Sequence, residues 1–139
     1  MDGQRRTCHQ QGHVDAAELH EGGQGRGLGA GHIATAIEVL KHFPFEERRG
    51  STIFAKDPIG VCAMITPWNF PMAIPSWKII PALVAGNTVV LKPATLTPLS
   101  ALNFVKALID AGVPKGVVNL VTGGGGDVGN AIVEDPRVR

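Results

Sequence analysis

Apolar residues along the first 32 positions follow neither a helical nor an alternating period, whereas from Ile33 onward the chain is patterned like a folded protein. Ile33, Ala36, Ile37 and Leu40 recur at three and four residues, which predicts one face of a short helix ending before Pro44. Two β-rich runs, STIFAK and IGVCAMI, are split by Asp57-Pro58 and read as a pair of strands. Met72 to Ala85 (MAIPSWKIIPALVA) is rich in helix formers, with Gly86 placed to close the helix. Pro75 fits a first turn; Pro81 predicts a kink or a late break. NTVVL, at 87–91, is a run of buried-strand type that ends at Lys92-Pro93. Thr97-Pro98 then supplies an N-cap and a first-turn proline, and Leu102, Val105, Leu108 and Ile109 form a helical stripe up to Gly112. VVNLV at 117–121 is the next strand, and GGGGDVG leads into a last helix in NAIVED.

Strand, helix, strand, helix, strand, glycine turn, helix is the order of an α/β domain, a parallel sheet with flanking helices. Ligands of such sheets bind outside the carboxyl ends of the strands. Three strand ends here carry unusual chemistry: Thr66 to Asn69, Lys92 to Thr95, and Gly123 to Gly129. They are expected to line one edge. Residues 1–32, with eight glycines, four of the five histidines and no Phe, Trp or Tyr, are expected to be a disordered leader. Cys8, His9, His13 and His20 match no standard zinc spacing, so a metal site there is disfavoured.

Composition narrows the function classes. The 139 residues suit one domain, and 44% hydrophobic with 18% charged residues is ordinary for a globular protein. A formal net charge of +1 creates no field that would gather nucleic acid or anionic lipid. Residues 58–77 are uncharged and long enough to span a bilayer, but Pro58, Pro67, Pro71 and Pro75 would leave backbone carbonyls unbonded in hydrocarbon. Cys8 and Cys62 lie far apart with no CxxC spacing and no secretory pattern before them, so no disulfide framework is expected, and the expected compartment is the cytoplasm.

Each strand end has a functional and a bland reading. Gly124, Gly126 and Gly129 satisfy GxGxxG between a strand and a helix, where backbone N–H groups can approach a phosphate. A glycine-rich turn without a ligand has the same pattern. Lys92 could hold ribose hydroxyls or a phosphate, or stand solvated at a strand end. Asn69, between Trp68 and Phe70 and braced by Pro67 and Pro71, could direct an N–H at a developing oxyanion, or merely satisfy the backbone of a turn.

Together, ITPWNFP, WKIIPALVAGNTVVLKPATLTPLSA and GVPKGVVNLVTGGGGDVG, in this order and spacing, closely resemble the cofactor-binding domain of the aldehyde dehydrogenase superfamily, from about Ile33 to Arg139. The resemblance implies a partial, truncated Rossmann-like domain over residues 33–139 that binds NAD or NADP. It makes Asn69 the catalytic amide that stabilises the oxyanion formed when a cysteine thiolate attacks an aldehyde. Ile65, Thr66, Pro67 and Trp68 match the segment beside the cofactor's ribose and pyrophosphate, Lys92 and Ala94 match residues around the adenosine ribose, and Gly125 and Gly129 match glycines that let the cofactor approach. Lys78 matches a lysine near the catalytic asparagine, read as structural support. Many NAD-preferring members carry glutamate where this chain has Thr95, so NADP is expected to be tolerated, with NAD still possible.

The resemblance also says what to expect beyond these loops. The family's nucleophilic cysteine and glutamate base lie downstream of this region, Cys62 reads as a small buried hydrophobe, and the chain is expected to be inactive alone. Intact members are homo-oligomers acting on small aldehydes. The alternative is a non-catalytic nucleotide-binding or dimerising module. The family would have a helical region where residues 1–31 stand, so that glycine- and histidine-rich segment reads as translated out of frame or from a mispredicted start. A partial sheet is expected to leave an open edge, with weak stability.

Overall fold

The structure, a computed structural model, describes residues 27–139. Strands β3 (Val61–Ile65), β4 (Thr88–Lys92) and β5 (Val118–Leu120) form a parallel sheet in that spatial order, joined by helices α2 (Ala73–Val84) and α3 (Pro98–Asp110). The register sets Cys62 and Met64 beside Val89 and Leu91, and these beside Val118 and Leu120. Side chains alternate across a strand, so all six share one face. That face carries the core: Met64, Val89, Leu91 and Val118 pack with Ile79 and Ile80 of α2 and with Ala101, Phe104, Val105 and Leu108 of α3. Cys62 packs partly buried against the same cluster, as a small hydrophobe would.

Pro81 sits inside α2, yet the helix continues to Val84 and closes in a paired turn. Gly86 N donates to Leu83 O at 2.9 Å and Asn87 N to Ala82 O at 2.9 Å, with Gly86 at φ +81. Gly112 closes α3 in the same way, with bonds from Gly112 N to Ile109 O and from Val113 N to Leu108 O. At Gly86 a Cβ would also lie 2.8 Å from Pro58 Cγ, and a proline ring has little freedom to retreat. Gly86→Ala is therefore expected to lower stability by about 1–3 kcal/mol, the cost of a left-handed non-glycine residue. A denaturant midpoint equal to that of the parent chain would contradict this.

Two expectations need correction. STIFAK and IGVCAMI each form a strand, as expected, but the two do not pair with each other. β2 (Thr52–Ala55) pairs antiparallel with β1 (Glu46–Arg49), a charged EERR run, across a turn at Gly50, and this two-stranded sheet is separate from β3–β4–β5. Lys56-Asp57-Pro58 carries the chain out of the hairpin before β3 begins, and β3 takes its partner from β4. Helix α1, moreover, runs from Gly27 to His42, so a leader boundary after residue 32 falls inside it. Three glycines in GLGAGH are poor helix formers, and packing on α2 compensates. A Cβ on Gly29 would stand 3.6 Å from Ser76 Oγ, and the His32 ring lies 4.7 Å from that of Trp77. The rest of the leader, with Cys8, His9, His13 and His20, lies outside the described residues.

After β5 the chain changes face. A π-helical turn, Gly125–Gly129, precedes α4 (Asn130–Glu134). A Cβ on Gly129 would stand 3.8 Å from Lys92 Cε and 4.0 Å from Ile65 Cδ1, and both residues point away from the face that holds Met64 and Leu91. Val138 then forms a parallel bridge to Val61, and Arg139 N donates to Val61 O at 2.8 Å. Asp135, held down to about 2 by hydrogen bonds from Arg137, shapes the turn into that bridge. The chain has thus returned to the edge of β3 away from β4, which makes β3 a topological switch point.

Candidate functional site

Parallel strands end at one edge, so the loops after Ile65, Lys92 and Leu120 open on the same side of the sheet. They are laced together. Ile65 and Lys92 are direct partners, Thr66 N donates to Lys92 O at 3.1 Å, and Val121 N donates to Leu91 O at 2.9 Å. Beyond the strands, Thr95 Oγ1 donates to Gly123 O at 3.4 Å. The expected convergence of the three strand ends is therefore present, with Ile65, Thr66, Lys92 and Gly129 in one cluster.

Lys92 is 4% exposed, so the bland reading of a solvated strand-end lysine does not hold. Its aliphatic stem lies against Gly129, and its Nζ donates to Pro93 O at 3.3 Å. No carboxylate among the described residues pairs with it. A buried ammonium without a counter-charge is costly, and two of its three donors remain to be used. An anionic ligand at this edge would satisfy both needs, and a polyhydroxylated one the second.

The glycines divide by physical role. A Cβ on Gly125 would meet nothing within 4 Å, and one on Gly129 would make only ordinary contacts with Lys92 and Ile65. Gly123, which the GxGxxG reading leaves out, is the constrained one: it sits at φ +153, and a Cβ would fall 2.3 Å from Val128 Cγ2. The sequence signal was the run of four glycines at 123–126, of which the motif uses only Gly124 and Gly126. Next to it is a cleft of about 330 Å³ lined by Pro93, Ala94, Thr95, Pro98, Thr122 and Gly123. Ala94 and Thr95 are among the residues expected to face the cofactor; Pro93, Pro98 and Thr122 were not singled out for that role from the sequence. Thr97 takes the N-cap position of α3 as expected, but its hydroxyl makes no capping bond and is buried without a partner.

Asn69 lies in the turn between β3 and α2, just beyond the strand end that Thr66 anchors. Its carboxamide is exposed and bonds to no described residue, so the reading of a turn-satisfying asparagine fails. The turn is held without it, by Ile74 N to Phe70 O at 3.1 Å and Ser76 N to Met72 O at 3.2 Å, with Pro67 and Pro71 limiting the backbone. Trp68 and Phe70 are 61% and 51% exposed, so their rings do not pack around the amide within this chain. Lys78 is exposed and makes no bond among the described residues, which leaves the expected support role without a contact.

No helix among the described residues is long and apolar enough to cross a membrane. Comparison with known proteins places this architecture. The model of the aldehyde dehydrogenase family matches residues 16–139, beginning ahead of the Ile33 boundary drawn from the sequence. A 2,5-dioxopentanoate dehydrogenase of Saccharolobus solfataricus is 52% identical over 98 residues, 70% of this chain and 20% of that protein. The solved structure of a mutant aldehyde dehydrogenase C of Pseudomonas syringae, in complex with NAD+ and octanal, is similar at a TM-score of 0.80 and 46% identity, over 83% of this chain and 24% of that one. A glyceraldehyde-3-phosphate dehydrogenase of Methanocaldococcus jannaschii in complex with NADP gives a TM-score of 0.73 at 32% identity, over 83% of this chain and 27% of that one. The chain thus spans about a quarter or less of the length of these relatives. Because the family match takes in the sheet, both crossover helices and all three strand-end loops, this chain belongs to the aldehyde dehydrogenase family.

Proposed function

We propose that this chain forms the dinucleotide wall and the oxyanion donor of an NAD(P)-dependent aldehyde dehydrogenase, which oxidises an aldehyde to a carboxylic acid through a cysteine thiohemiacetal. The observation that carries the reading is Lys92: buried to 4% exposure, unpaired with any described carboxylate, and packed on Gly129 at the carboxyl edge of the sheet. In this reading Lys92 and Ala94 hold the adenosine ribose. Ile65, Thr66, Pro67 and Trp68 flank the ribose and pyrophosphate, while Gly125 and Gly129 leave room for close approach. The bound dinucleotide supplies the hydride acceptor. Asn69 donates its amide N–H to the oxygen of the aldehyde as negative charge develops there. The relatives that the chain matches over part of their length are dehydrogenases, which favours this over a non-catalytic module. The intact enzyme is read as a cytoplasmic homo-oligomer.

Thr95 bears on the choice of cofactor. Its hydroxyl is used on Gly123 O, and it presents no carboxylate to repel a 2′-phosphate beside the Lys92 ammonium. Binding of both NADP+ and NAD+ to the full chain is expected in calorimetric titration. Lys92→Met, which keeps the stem and removes the charge, should weaken both by roughly 10- to 100-fold, the worth of a hydrogen bond to a charged group. Thr95→Glu should weaken NADP+ more than NAD+. Unchanged affinities in a folded Lys92→Met variant would overturn the assignment. No aldehyde-dependent NAD(P)H formation is expected from the chain alone, because Cys62, the one cysteine among the described residues, is packed against the helix-covered face of the sheet.

A further inference from the structure

We draw no further inference here: the strongest candidate, the exposed apolar surface of the β1–β2 hairpin at Ile53 and Phe54, carries none because nothing in the structure shows what covers it.

Discussion

Asn69→Ala is expected to lower kcat for aldehyde oxidation roughly 100- to 1,000-fold, the loss typical of a single oxyanion donor. The measurement calls for a whole enzyme in which residues 27–139 of this chain, with α1 intact, replace the corresponding segment of the 52%-identical relative. The expectation follows from what the amide does not do. It is exposed, bonds to no described residue, and the turn is closed by backbone bonds at Phe70 and Met72, so removing it should leave the fold as stable as before. Its contribution is then available to the reaction, where a preset donor gains most as charge forms on the aldehyde oxygen. Cofactor affinity, set at Lys92, should not change. Asn69→Asp, which places an acceptor and a negative charge where a donor is needed, should be at least as damaging. Turnover within a few-fold of the parent in Asn69→Ala, with cofactor affinity intact, would remove Asn69 from the mechanism.

The elements that frame this site were legible because each joins a hydrophobic period to a chemical stop. NTVVL ends at Lys92-Pro93, the α2 and α3 stripes end at Gly86 and Gly112, and both glycines adopt the positive φ that a helix closure requires. Once β3, β4 and β5 are parallel, their loops must share an edge, so the meeting of Ile65 and Thr66 with Lys92 and Gly129, and of Thr95 with Gly123, followed from element order. Features decided by distant neighbours were not legible. EERR has no apolar period and becomes a strand only by pairing with β2 in an exposed hairpin. GLGAGH reads as a breaker and is helical because small residues let α1 approach Ser76 and Trp77. Whether Lys92 is solvated depends on Gly129 and Ile65, and whether Gly123 is obligatory depends on the Val128 side chain. Neither dependence shows in a local pattern.

Leu91→Ala should lower the unfolding free energy by about 2–5 kcal/mol, the range for truncating a buried leucine. Leu91 is 0% exposed in the middle strand, with Met64 and Leu120 as its register partners and α2 and α3 packed on the same face. Domains have only about 5–15 kcal/mol of stability in total. A three-stranded sheet whose β3 edge is paired, among the described residues, only at Val61 is expected toward the low end, and Leu91→Ala is expected to leave little folded chain at ordinary temperature. Leu96→Ala is the matched control: at 79% exposure it should change stability by no more than about 0.5 kcal/mol. Equal denaturant midpoints for the two variants would contradict the placement of the core. The next residue in the strand gives the complementary result. Lys92 points to the opposite face of the pleat, toward Gly129, so Lys92→Met should reduce dinucleotide affinity, whereas any Leu91→Ala chain that still folds should bind with nearly the parent affinity.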